Sequence, residues 1–291
     1  MRWEDFRGST NIEDYRGSGG GGMLGGGGGL GIGAMVVLGL IGMFLGIDPR
    51  ILISGAEVIT GGGGQVATGP AKTGDPTDQE GKFVSRTLAM TEDVWGKVLP
   101  EQKGIRYVPP KLALFSGATR SACGAAQSAM GPFYCPLDQK VYLDTSFFND
   151  MERKLGVSSD RAEFAYAYVI AHEVAHHVEN VMGILPKVQE AQQNSSQTQA
   201  NALSVRVELM ADCLSGVWAH HAQQKWNILE QGDIEKALAT AAAIGDDRLQ
   251  KQGRGYVVPD SFTHGSSAQR VQWFKTGFQS GQVDSCNTFR R

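Results

Sequence analysis

Two histidines four residues apart, His172 and His176, are the residues of this 291-residue chain best spaced to do chemistry. On a helix, positions i and i+4 project from one face one turn apart, so two neutral imidazoles there can share a metal ion. Glu173 follows the first histidine and can reach a water held by such an ion. This His-Glu-x-x-His pattern, with the glutamate as general base, suits metal-assisted amide hydrolysis. Nitrogen and oxygen donors around an open position suit zinc, which lowers the pKa of its water toward about 7. A surface helix could carry the same five residues by chance. The neighbours weigh against that reading: residues 165–171 read AYAYVIA, and Val174 and Ala175 fill the motif's interior. So apolar a helix is buried, and buried His and Glu need partners.

Two histidines leave a catalytic site one ligand short. Downstream, Glu208 and Asp212 stand one turn apart in Glu208-Leu209-Met210-Ala211-Asp212. Glu208 can complete a His, His, Glu set and leave the fourth position open. Asp212 can accept a hydrogen bond from the outer N–H of a ligating histidine and fix its tautomer. His177 points about 100° away around the helix and cannot ligate from the same turn, so its expected role is structural. His220 and His221 have no partner at ligand spacing. Tyr134, Tyr142, Tyr166 and Tyr168 read as core aromatics.

The elements that must position these groups are mostly helical. Residues 83–98 carry apolar side chains at helical spacing. Residues 160–182 form the helix of the motif, followed by Gly183, and residues 187–202 are polar and glutamine-rich, an exposed connection or polar helix beside the site. Helices are expected over 200–224 and 233–249, and Ser266-Ser267-Ala268-Gln269 is a capping box opening a last one. Residues 111–116 and 140–144 read as strands, and either could be the edge strand that pairs with an extended substrate. The expected class is α+β, helix-rich with a small sheet.

The first third of the chain differs. Residues 1–29 read as a polar and then glycine-rich tail, and residues 30–47 (LGIGAMVVLGLIGMFLGI) carry no charge. Eighteen apolar residues are just long enough to cross a hydrocarbon core of about 30 Å as a helix. A secretory signal peptide is the competing reading. Residues 48–82, with Gly61–Gly64 and Gly69-Pro70, read as a linker to a domain over 83–291. More arginines precede the apolar run than follow it closely, which favours a single-pass anchor with the main domain periplasmic or extracellular. Cys123 and Cys135 enclose a short loop that could carry a disulfide, the alternative being four buried free thiols with Cys213 and Cys286. A net charge of −3 favours neither nucleic acid nor an anionic membrane surface as partner.

The segments HEVAHH and VELMADCLSGVW, together with the opening MRWEDFRGSTNIEDYRG, the stretch GPFYCPLDQKVYLDTSFF and the closing SFTHGSSAQRVQWF, resemble the neutral zinc metallopeptidase family of bacteria, whose members are often membrane-anchored. The resemblance spans both ends of the chain. It implies a zincin of gluzincin type, similar to thermolysin at the site, with Zn2+ held by His172, His176 and Glu208 and with Glu173 as base. THGSSAQR is similar to the C-terminal His-Pro segment of membrane-associated zinc peptidases, with glycine replacing proline. His264, with Arg270 six residues on, is therefore expected to donate to the oxyanion. The expectation is a membrane-anchored metalloendopeptidase acting on peptides or proteins. The alternative is a zinc-stabilised binding module without turnover. The oligomeric state is not legible.

Overall fold

The computed structural model describes residues 1–17, 70–128, 131–155 and 163–290. At its centre lies the motif helix α3 (Glu163–Val181), buried on nearly every face, as its apolar sequence requires. It packs among α1 (Gln79–Lys103), α5 (Gln197–Trp226) and α6 (Asp233–Ala243). The others are α2 (Ser146–Leu155), α4 (Ile184–Gln193), α7 (Asp246–Arg254) and α8 (Ser267–Ser280). The N-terminal boundary of α1 follows from Asp78, whose carboxylate accepts the Gly81 N–H, and its end from Gly104 in the left-handed conformation. Ser266 and Gln269 form the expected capping box at α8, and Ser196 with Gln199 forms a second at α5.

A five-stranded sheet covers one side. Its strands are β1 (Ile12–Asp14), β2 (Lys72–Thr73), β3 (Lys111–Phe115), β6 (Phe133–Cys135) and β7 (Lys140–Asp144), in the order β2-β1-β3-β7-β6. β1, β3 and β7 run parallel, while β2 and β6 close the edges antiparallel. A hairpin of β4 (Ala118–Ser121) and β5 (Gly124–Gln127) stands apart. The helix-rich α+β class therefore holds. The two expected strands do form, but both are interior, so neither can pair with a substrate. The edge on that side is β6, whose three residues between prolines are too few to show alternation.

Three further sequence expectations are corrected. Residues 1–16 are not a free tail: Met1, Trp3 and Ile12 are buried and β1 is a sheet strand. Mixed charge conceals this, because the charges are spent on ion pairs such as Arg7 with Glu92 and Asp93, and Lys111 and Lys140 with Glu13. Residues 70–82 hold β2 and the first turn of α1, so the folded unit begins before residue 83. The expected helix over 233–249 breaks at Ile244 and Gly245, where Gly245 lies so close to Ser267 that a Cβ would meet its backbone nitrogen at 2.4 Å. The apolar run 30–47 lies outside the described residues. Among the described residues no helix is long and apolar enough to cross a membrane.

All four cysteines are paired, Cys123 with Cys135 and Cys213 with Cys286. The second bridge ties the end of the chain to α5 one residue beyond Asp212. α8 lies against the same stretch of α5 at a close backbone approach. A Cβ on Gly277 would sit 1.8 Å from the Cys213 carbonyl oxygen, and one on Gly216 would sit 2.2 Å from the Phe274 carbonyl oxygen. Only glycine permits that approach.

Candidate metal centre

His172 and His176 project from one face of α3, with ring centroids 4.8 Å apart. α5 crosses them and brings Glu208 between the rings: its Oε2 lies 3.2 Å from His172 Nε2 and its Oε1 3.5 Å from His176 Nε2. Donor atoms of His172, His176 and Glu208 all fall within 4.8 Å of one another, the spacing a single ion needs. The structure thus brings together the three expected ligands, and their donor chemistry fits zinc.

Each imidazole is held from behind through its other nitrogen. Asp212 Oδ1 lies 3.1 Å from His172 Nδ1, as the spacing suggested. Asp212 is in turn gripped by Arg270 from α8, with Nε on Oδ2 at 2.8 Å and Nη2 on Oδ1 at 2.9 Å. The Tyr168 hydroxyl donates to Oδ1 at 2.5 Å. Arg270 and Asp212 are almost completely buried, so neither is tolerable without the other. His176 Nδ1 meets Glu179 Oε2 at 2.8 Å, one turn along its own helix. The other oxygen of Glu179 is buried without a hydrogen-bond partner.

The electrostatics follow from this crowding. Burial alone would lower the His172 pKa, but its hydrogen bonds to Asp212 and Glu208 raise it to about 8. Burial would likewise lower His176, which the charges of Glu179 and Glu208 instead hold well above the usual histidine range. Burial would raise Glu208, yet the charge of His176 and the hydrogen bonds of both imidazoles hold it well below the usual carboxylate range. Burial would also raise Asp212, and the charge of Arg270 lowers it instead. Burial pushes Glu179 up to about 7 and raises Glu173, which sits beside the ligands with 7% of its surface exposed. A buried base raised toward neutral pH is what proton transfer there requires.

His172, Glu173, His176 and Glu208 lie together on a cavity of about 310 Å³, which His264 also lines. His264 stands in a loop clamped by Asp246. One Asp246 oxygen accepts the backbone N–H groups of Thr263, His264 and Gly265, and the other lies 3.1 Å from His264 Nδ1. Burial would raise the Asp246 carboxyl, and its hydrogen bond to His264 holds it down. Further walls come from β6, with Phe133 and Tyr134, from α4, with Leu185, Val188, Gln189 and Gln192, and from α2, with Phe147 and Met151. The glutamine-rich stretch 187–202 is thus helical except for a turn at 194–196, where α4 gives way to α5, and it does border the site.

His177 is structural, as expected, although its partners are neutral. Its Nδ1 meets the Tyr134 hydroxyl at 2.9 Å and its Nε2 the Val108 carbonyl at 2.7 Å, and burial lowers its pKa. His220 and His221 bond the carbonyls of Phe278 and Gly281, away from the centre. Sequence reasoning missed Glu179, Asp246 and the role of Arg270. The i, i+3 spacing of His176 and Glu179 was a usable signal; the other two pairings span 18 and 58 positions and carry none.

A family profile described as "Putative neutral zinc metallopeptidase" matches residues 1–289. The chain belongs to that family. It is 50% identical over 294 aligned residues to the uncharacterized protein YpfJ of Escherichia coli K12, covering 99% of both chains. It is 40% identical over 264 residues to the uncharacterized protein Rv2575 of Mycobacterium tuberculosis H37Rv, covering 85% of this chain and 84% of the relative. No solved structure matches the fold. Membership spans both the metal face and the N-terminal strand, so β1 lies within the region that defines the family.

Proposed function

We propose that this protein is a zinc-dependent endopeptidase of uncharged peptide segments. The observation that carries the reading is the convergence of His172, His176 and Glu208 within 4.8 Å on a cavity shared with Glu173. Three donors suit a catalytic site, which keeps its fourth position open, whereas a structural site is closed by a fourth ligand. When bound, zinc supplies Lewis acidity and makes water a stronger acid. Glu173, made more basic by burial, accepts a proton from water and delivers it to the leaving amine. His264 donates from Nε2 to the oxyanion. Asp246, engaged with Nδ1, holds the ring in place for that donation. An extended substrate lies in the cavity beside β6, with its side chains against apolar and amide walls. Two disulfides favour an oxidising compartment, and the apolar run 30–47 favours attachment to the membrane there.

Casein turnover by the wild type and by Glu173→Gln tests the reading. The variant keeps its metal and loses turnover by about two to four orders of magnitude. Zinc bound equally to both proteins, with no turnover by either, would instead make the site a stabiliser of a binding module.

A further inference from the structure

We infer that residues 1–17 and the metal centre lie on the same side of any membrane the chain touches. The inference is independent of the metal chemistry.

β1 and β2 are an antiparallel pair, with Glu13 opposite Thr73 and Asp14 opposite Lys72. Asp14 and Lys72, far apart in sequence, are therefore neighbouring backbone positions. β1 is also paired in parallel with β3, Ile12 opposite Leu112 through Asp14 opposite Leu114. β3 is paired with β7, so β1 belongs to the sheet that flanks α3. The attachment is not superficial. Ile12 is 1% exposed, and the Trp3 indole donates to Glu163 at the start of the motif helix at 2.9 Å. Glu13 takes ion pairs from Lys111 at 2.7 Å and Lys140 at 2.6 Å, joining three strands of the sheet.

An odd number of crossings between residues 14 and 72 would put β1 and its partners on opposite faces of a bilayer and abolish all of these contacts. Two crossings would each need about 20 apolar helical residues. After Ile47 come Asp48, Arg50 and Glu57, then the four glycines 61–64, a poor second span by charge and by helix propensity. The sheet is therefore incompatible with an odd count, and the sequence after Ile47 offers no second span.

The test is compartment mapping of the full chain in spheroplasts of a bacterial host. Its native cysteines are all bridged, so an added cysteine is a clean reporter. Asp5 and Lys275 are exposed and lie at opposite ends of the sequence. Asp5→Cys and Lys275→Cys, in separate chains, are treated with a membrane-impermeant maleimide before and after lysis, with Thr10→Cys as a second N-terminal reporter. The two ends are expected to react alike, both before lysis or both only after it. Labelling of one end before lysis and of the other only after it would overturn the inference. An oxidised Asp14→Cys/Lys72→Cys chain supplies a second readout. It is expected to form a cross-strand bridge in membranes, and failure to bridge under conditions that retain the two native disulfides would also overturn it.

Discussion

The two histidines of the metal face carry the same task and are supported in opposite ways. His172 is backed by Asp212, which is itself fixed by Arg270 and Tyr168, so three helices meet behind one imidazole. His176 is backed by Glu179 from its own helix, three residues on, and that carboxylate has one oxygen without a hydrogen-bond partner. The difference teaches that one ligand is set by tertiary assembly and the other by helix geometry. Damage to α8 should therefore reach the backing of His172 first, while the backing of His176 depends on its own turn.

The largest break in this comparison is Arg270→Met. It leaves Asp212 buried without its counter-charge, and about 3–5 kcal/mol of stability should be lost in denaturant unfolding of the metal-free protein. Next is Gly277→Ala, which drives a methyl into the Cys213 carbonyl and pushes α8 away from Asp212. A loss of about 1–3 kcal/mol is expected, together with weaker zinc binding in a competition titration. Glu179→Gln should weaken zinc binding by about 10–100-fold while leaving thermal stability of the metal-free form nearly intact. If Glu179→Gln unfolds the protein as Arg270→Met does, the contrast between the two supports is wrong.

pH sharpens the same comparison. The folded His172 pKa of about 8 lies above its ordinary 6.5, so without metal its contribution is complete below pH 6.5 and is lost as pH rises through 8. Glu208 and Asp212 are lowered, so their contributions are present above the ordinary carboxylate range and lost as pH falls below it. The metal-free protein should be most stable near pH 5–6.5. Zinc needs neutral imidazoles, so the Tm gained on adding zinc should grow from pH 6 to pH 8.5. A gain that shrinks over that interval would show that the imidazoles do not bind the ion.

Much of the site was legible because its signals are local. The i, i+4 histidines, the adjacent glutamate and the one-turn spacing of Glu208 and Asp212 each follow from helix periodicity, and the capping box marked α8. What stayed hidden depends on distant partners or very short elements. β1 and β6 have three residues each, too few for a pattern, and β1 forms only because β2 and β3 flank it. Arg270 looked like a neighbour of His264 until the close approach at Gly277 aimed it at Asp212. Burial of the motif helix was inferred correctly from the apolar residues 164–171 that lead into the motif.

The central claim is that His172, His176 and Glu208 hold one zinc. Metal analysis of the purified full chain beside His172→Ala tests it most directly. The account predicts about one zinc per chain in the wild type and its loss in the variant. Zinc absent from both, or retained undiminished by His172→Ala, would contradict it.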